Sequence, residues 1–330
     1  MSILVTGGAG YIGSHVVKEL LNKGEDVIVL DNLETGHREA VLGGKLFIGD
    51  LRDEEFMVKI FRENYIEGVI HFAANSLVGE SMKDPFKYYE NNVFGTLCLL
   101  KQMVNHRVDK IVFSSTAATY GDPEVIPIKE DNATNPTNVY GETKLTMEKM
   151  FKWFEKIYNI NYISLRYFNA AGADESGKIG EWHEPETHLI PNILKAVINK
   201  ESIKIFGDDY PTRDGTCIRD YIHVTDLSEA HILAFDYLRE GKDSDVFNLG
   251  SQKGTTVKEV IEAAKKVLNM DIEIEILSRR EGDPAVLIAS SEKIKEKLGW
   301  EPKHSHMDNI IETAWNFMKA HPQVYKGNNI

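Results

Sequence analysis

Hydrophobic and polar positions in the first half of the chain follow two alternating patterns. Short β-branched runs at residues 3–6, 26–31, 45–48, 68–72, 110–114 and 162–166 read as strands. Between them, apolar residues recur at helical spacing over 11–22, 54–64, 85–105 and 139–158. Strands separated by helices of this length predict right-handed βαβ units and a parallel sheet covered on both faces. The second half is less regular. A turn-rich stretch at 169–185 leads to a helix at 188–200, a strand at 202–206 and an aspartate-rich loop at 207–215. A strand at 221–224, a helix at 226–238, a strand at 246–249, a helix at 257–268 and a strand at 272–277 follow, then two more helices. The expected fold class is α/β, a Rossmann-type doubly wound parallel sheet with a smaller C-terminal α/β substrate lobe.

Composition narrows the class. With 330 residues, 42% hydrophobic and 27% charged, the chain is an ordinary globular protein able to bury a large core. No apolar run approaches the roughly 20 residues that span a bilayer. Met1 leads straight into a strand pattern with no basic leader, and Cys98 and Cys217 form no CxxC pair. A reduced, cytoplasmic protein is therefore expected. The net charge of −13 argues against nucleic acid or an anionic membrane as partner. A phosphorylated small molecule stays open, because Arg219, Arg279 and Arg280 sit among acidic neighbours in the second half.

The first chemical motif is Thr6-Gly7-Gly8-Ala9-Gly10-Tyr11-Ile12-Gly13, after a strand and opening a helix. Gly7 would allow the tight turn, Gly10 the approach of a pyrophosphate, and Gly13 close packing of helix on strand. The helix N-terminus, at Tyr11 and Ile12, offers its free N–H groups to the phosphates. The second strand ends at Asp31-Asn32, eighteen residues beyond Gly13. An acid there suits ribose hydroxyls and repels a 2′-phosphate, which favours NAD over NADP despite nearby His37 and Arg38. Gly49-Asp50-Leu51 could reach the adenine, and Phe72-Ala73-Ala74 offers small residues where bulk would block a cofactor.

Tyr140 and Lys144 form a Tyr-x-x-x-Lys pair on one helix face. Roughly one such pair is expected by chance, and an exposed helix face would explain it equally. Its weight comes from Ser114-Ser115-Thr116, which ends the fifth strand where a parallel sheet presents side chains to ligand. A hydroxyl, a phenol and an ammonium would then converge. Removing a sugar hydroxyl proton as hydride leaves the same carbon needs a base ready near neutral pH. A phenolate at pH 7 requires roughly 4 kcal/mol from a free pKa of about 10. One cation near 4 Å supplies about that much at an effective dielectric of ~20, and Lys144 and the positively charged nicotinamide of NAD⁺ are the available cations.

With these residues assembled, the chain resembles the extended short-chain dehydrogenase/reductase superfamily. Tyr88-Tyr89-Glu90-Asn91-Asn92-Val93, Leu165-Arg166-Tyr167-Phe168-Asn169, Arg219-Asp220-Tyr221-Ile222-His223-Val224 and Arg279-Arg280-Glu281-Gly282-Asp283 look like its nucleotide-sugar 4-epimerase branch, over residues 1 to about 320. The resemblance implies NAD-dependent, reversible inversion at C4 of UDP-glucose and UDP-galactose through a 4-keto sugar, as in galactose metabolism. It implies Tyr140 as base, Thr116 as the hydroxyl that relays or orients the 4-OH proton, and Lys144 on the nicotinamide ribose. Asp31, Asn32, Asp50, Leu51, Ala73, Asn91, Ser114 and Phe168 would contact NAD. Asn169, Leu189, Phe206, Arg219, Tyr221, Arg280 and Asp283 would hold the UDP moiety, with both arginines on the diphosphate. A two-lobed molecule follows, with residues 1–168 and about 222–249 binding NAD and residues 169–221 and 250–330 binding the UDP-sugar. So does a homodimer built on the helices at 85–105 and 139–158.

Departures from the pattern are few. Thr116 stands where many members have Ser, and Ser76 and His188 where some have Lys and Asn, so neither of the latter is given a role. Leu287 occupies the approximate position of a bulky Tyr that some members place against the sugar. His304 and His306 read as surface residues, and no metal is expected. A 4,6-dehydratase would need an acid and base after the catalytic hydroxyl, where this chain has Ala117-Ala118. A dinucleotide sensor without catalysis would have lost Tyr140 or Lys144. A broader epimerase that also takes UDP-N-acetylglucosamine is the remaining alternative.

Overall fold

The structure, a computed structural model, describes residues 1–280 and 284–325. Its centre is a parallel sheet of seven strands: β1 (Ser2–Thr6), β2 (Asp26–Asp31), β3 (Lys45–Ile48), β4 (Ile66–His71), β5 (Lys110–Thr116), β6 (Asn161–Tyr167) and β10 (Asp245–Leu249). The spatial order is β10-β6-β5-β4-β1-β2-β3, so the chain winds outward in both directions from β1 and β4. That reversal opens a crevice at the carboxyl ends of those two strands.

Alternation along β1 shows why the sheet is buried on both sides. Ile3 and Val5 join Val16, Val17, Leu20 and Phe235 on one face, under the helices Tyr11–Asn22 and Val224–Arg239. Leu4 faces the other way, onto Met57, Ile60, Leu99, Met147 and Phe151 from three further helices. A strand with two buried faces reads as a continuous apolar run, the pattern in the sequence.

The smaller lobe sits beyond the carboxyl edge. β9 (Ile218–His223) pairs with β7 (Asn169–Ala171), β11 (Gly254–Thr256) and β13 (Val286–Leu287), and β8 (Ile203–Phe206) pairs with β12 (Ile274–Leu277). Its core joins Ile193, Leu194, Val260, Ile261, Ile310, Ile311 and Phe317 from the helices Leu189–Asn199, Val257–Leu268 and Met307–Ala320. The helix Glu292–Leu298 and the single turn Pro322–Tyr325 complete the order.

Three expectations change. The helix expected over 85–105 is a short turn Pro85–Tyr88, a π-helical turn Tyr89–Phe94 and a helix Gly95–His106. The wider turn leaves Asn91 on the cleft while Asn92 turns inward, bonded to the Asn75 backbone and Thr143. β5 runs two residues further than expected, which brings Thr116 into the sheet. The two- and three-residue strands β7, β11 and β13 were not expected at all. Among the described residues no helix is long and apolar enough to cross a membrane.

Candidate active site

The crevice between β1 and β4 widens into a cleft of about 1460 Å³, solvent at its mouth included. Its floor is the glycine turn. Gly7 has φ +72°, and a Cβ there would fall 2.5 Å from the Ala73 nitrogen. A Cβ on Gly13 would lie 2.2 Å from the Gly7 oxygen. Both glycines are therefore required by the turn itself. Gly10 differs, since the only atom near its Cβ position is 3.3 Å away, so it faces open space. It begins the helix Tyr11–Asn22 with no side-chain cap, leaving the first N–H groups to an anion. This cradle fits a dinucleotide pyrophosphate.

Along the first wall, the structure brings Tyr11, Ile12, Asp31, Asn32, Asp50, Leu51, Phe72, Ala73, Ala74, Asn91, Ser114 and Phe168 to the same cleft. Asp31 ends β2, accepting from the Ala9 and Leu33 nitrogens, each at 2.9 Å. Burial pushes its carboxyl pKa up and those two N–H groups oppose the shift. Two N–H bonds leave a carboxylate lone pairs for ribose hydroxyls. Arg52 grips Asp50 at 2.7 and 2.8 Å and holds its pKa to about 2. His37 stacks on Trp182 of the other lobe, ring centroids 3.7 Å apart, which takes it away from any 2′-phosphate.

The catalytic candidates meet above β5. Asn138 caps the helix Val139–Tyr158 by accepting from the Gly141 nitrogen at 2.9 Å. That fixes Tyr140 in the first turn and Lys144 one turn on. Both are buried, so the exposed-face alternative fails. Lys144 donates to the Ser114 carbonyl at 2.8 Å and lies 5.9 Å from the Tyr140 ring centroid. Thr116 lines the same cleft, its hydroxyl near enough to the Tyr140 phenol to lower that group's pKa. Beneath them Glu148 accepts from Ser115 at 2.6 Å and from Arg166 at 2.9 and 2.5 Å, a buried network that holds β5, β6 and the helix together.

The electrostatics correct one expectation. Burial pushes Tyr140 up to about 12, and the Thr116 hydroxyl only partly opposes it. Burial also lowers Lys144 to about 7, against the pull of Glu148. Bringing a phenol from 12 to 7 takes about 7 kcal/mol. Even one full charge at about 4 Å gives only about 4 kcal/mol at a dielectric of ~20. A single cation therefore does not suffice, because burial raised the demand and weakened the supply together.

The second wall carries Asn169 and Ala170 of β7. The other residues expected around UDP lie beyond the cleft lining. Tyr221 is buried opposite Asn169 in the β7–β9 register, and Arg219 is opposite Leu287 in β9–β13. Arg280 stacks its guanidinium 3.9 Å above the Phe206 ring. Leu189 begins a helix and packs on the second core. Asp283 lies outside the described residues. Arg279 is engaged elsewhere, by Asp209 at 2.6 Å and the Tyr210 ring.

Sequence reasoning passed over Tyr167, Ser76, Glu181, His183 and His188, all of which line the cleft. Tyr167 bonds Ser114 Oγ at 2.6 Å. The other signal was the run Glu181-Trp182-His183-Glu184-Pro185-Glu186-Thr187-His188, read only as turn-rich. His188 Nδ1 is 2.8 Å from Glu181 and 3.0 Å from Glu186, and those carboxylates hold its pKa well above normal despite desolvation. His304 and His306 are exposed, as expected.

A glycine-turn dinucleotide cleft with a Thr-Tyr-Lys centre at its middle strand defines a class, and family comparison agrees. Residues 3–250 match the NAD dependent epimerase/dehydratase family, and the chain belongs to it. Within that family the curated relatives that are 46–58% identical to this chain are named UDP-glucose 4-epimerase. The UDP-glucose 4-epimerase of Halalkalibacterium halodurans is 58% identical over 330 residues, covering 100% of this chain and 99% of its own. A crystal structure of UDP-glucose 4-epimerase superposes with TM-score 0.96 at 54% identity, covering 98% of each chain. The Bifidobacterium longum UDP-glucose 4-epimerase, solved in complex with NAD+ and UDP, gives TM-score 0.92 at 39% identity, over 98% of this chain and 100% of that one.

Proposed function

We propose that this protein catalyses NAD-dependent, reversible 4-epimerisation of UDP-glucose and UDP-galactose through a 4-keto sugar. The observation that carries it is the meeting of Tyr140, Thr116 and Lys144 at the carboxyl end of β5, on the cleft that opens at Gly7 and Gly13. When bound there, NAD⁺ would supply the hydride acceptor for C4 and a second positive charge. Lys144 would bind the nicotinamide ribose and lend its own charge, so that Tyr140 can take the 4-OH proton. Thr116 holds that hydroxyl toward Tyr140. Residues of the second lobe (Asn169, Leu189, Phe206, Arg219, Tyr221, Arg280 and Asp283) anchor the UDP end while the keto sugar turns, so that the hydride would return to C4 on the other face as Tyr140 gives the proton back to O4. The work divides between residues 1–168 with about 222–249 for NAD and residues 169–221 with 250–330 for the UDP-sugar.

The same reading places the enzyme in the cytoplasm as a homodimer with no membrane or nucleic-acid partner. Leu97, Trp153, Ile157 and Tyr158 are exposed on the helices Gly95–His106 and Val139–Tyr158, an apolar stripe suited to a second copy. The N-acetylated pair is turned over more slowly, since extra atoms at C2 must rotate near Leu287.

The test needs no added cofactor. Purified protein mixed with UDP-galactose should form UDP-glucose, and the denatured protein should release about one NAD per chain. Recovery of NADP, or a reaction that consumes NAD continuously, would overturn the proposal.

A further inference from the structure

The segment ahead of the helix Leu189–Asn199 gathers Glu181, His183, Glu186 and His188 at one point, one donor atom from each within 4.8 Å of all the others. His188 Nδ1 lies 2.8 Å from Glu181 Oε1 and 3.0 Å from Glu186 Oε1. His183 Nδ1 lies 3.3 Å from Glu181 Oε1 and 3.9 Å from Glu186 Oε2. A tetrahedral ion with bonds of about 2.0–2.2 Å separates its ligand atoms by about 3.3–3.6 Å, and the four spacings bracket that edge.

Burial supplies an independent argument. The Glu186 side chain is 1% exposed, yet its Oε2 finds no hydrogen-bond partner among the described residues. His183 Nδ1, buried beside it, has the Glu181 oxygen at 3.3 Å but without the geometry of a hydrogen bond. An acceptor oxygen and a ring nitrogen, each desolvated and without a hydrogen bond, leave a deficit that a shared cation removes.

The donor set chooses the ion. Calcium and magnesium take oxygen ligands, whereas two imidazole nitrogens with two carboxylates suit a borderline first-row ion. Two carboxylates and two neutral imidazoles also balance a divalent charge. We propose that Glu181, His183, Glu186 and His188 bind one divalent cation of the zinc class. All four sit on the strap that forms the second wall, and the His183 ring meets that of Tyr11, 6.1 Å between centroids, at the glycine turn. The ion fastens the strap beside the cofactor cleft and takes no part in the chemistry at Tyr140.

The test uses full-length protein prepared without a metal-affinity tag and dialysed into metal-free buffer. Calorimetric titration with zinc chloride, with metal content measured by plasma mass spectrometry, should give one tight equivalent per chain. Magnesium chloride should give none at the same concentration. His183→Ala with Glu186→Gln should weaken zinc binding at least 100-fold, while His304→Ala with His306→Ala should leave it unchanged. X-ray absorption on the zinc-loaded wild type should report two imidazole nitrogens and carboxylate oxygens, which locates the ion even where the first variant fails to fold. The proposal is overturned by any of three results. These are no stoichiometric zinc uptake in the wild type, equal uptake by the wild type and a folded His183/Glu186 variant, or a sulfur-containing or imidazole-free shell.

Discussion

The two walls of the cleft are built by different means. Strand ends of β1, β2, β4 and β5 make the first wall, and the sheet register fixes each position: Thr6 lies opposite His71, and Ser114 opposite Leu165. Residues 172–188 make much of the second wall, which side chains hold to the first. Tyr11 donates to the Gly172 oxygen at 2.5 Å, Lys18 pairs with Asp174 at 2.6 Å, and His37 stacks on Trp182. These contacts join residues 161, 156 and 145 apart in the chain. Charge divides the same way. At the reaction centre of the first wall burial prevails, lowering Lys144 to about 7 and raising Tyr140 to about 12. On the second, partners prevail: His188 is raised, and His183 and His188 hold Glu181 to about 2 against desolvation. A wall fixed by a cooperative ladder can hold uncompensated groups ready for chemistry. A wall held by a few contacts controls access and retention.

The hardest test of that division is Tyr140→Phe. If chemistry belongs to the first wall, turnover should fall by about 10²–10⁴, the range for losing a general base. Affinity for the UDP-sugar, read by calorimetry, should change little, because one hydroxyl leaves and the ring remains. Near-normal turnover would remove Tyr140 as the base.

Next in size is a pH effect behind the first wall. His231 is buried against Phe72 and Tyr167, and its ordinary pKa of 6.5 falls to about 4 through desolvation. The fold therefore holds the neutral ring. Stability from this site is complete above pH 6.5 and falls as pH drops toward 4, because only the unfolded chain binds the proton in that window. At pH 5 the loss is about 2 kcal/mol. His231→Leu should cut that much from the difference between urea unfolding at pH 7 and pH 5. His71 and His223, both lowered to about 3, titrate in parent and variant alike and cancel. An unchanged pH slope would mean that His231 is not held neutral.

The first wall was also the legible one. Doubly buried strands and helices with one apolar stripe leave a local period, and the bounds 26–31, 45–48, 11–22 and 139–158 coincide with the observed elements. The glycine spacing follows from backbone sterics within one turn, so Gly7 and Gly13 were readable without a fold. β7 and β13 are too short to show a period, and their partner β9 is remote in sequence for β7. The Glu181–His188 run looked like a turn because only tertiary burial turns its side chains toward one point. The Tyr140 electrostatics were misjudged for a related reason, since spacing puts Tyr140 and Lys144 on one face without saying how dry that face is.

The smallest effect should come from Trp182→Ala, which loosens the second wall and leaves the first alone. The indole lies almost parallel to His37, at 10° and 3.7 Å, while the Trp182 carbonyl contacts His37 Nε2 at 3.2 Å. Alanine keeps the carbonyl and removes the stack. An aromatic pair contributes about 0.5–1.5 kcal/mol beyond its buried area, so the strap should open about 2- to 13-fold more often. NAD release, followed by exchange against labelled cofactor, should accelerate by that factor. Turnover with excess NAD should stay within about twofold, because Tyr140, Lys144 and Thr116 keep their places on the sheet. Lower turnover with unchanged NAD release would reverse the division and make the strap part of the chemistry. In the double variant with Tyr140→Phe, NAD release should match that of Trp182→Ala alone and turnover that of Tyr140→Phe alone, as expected for sites without shared partners.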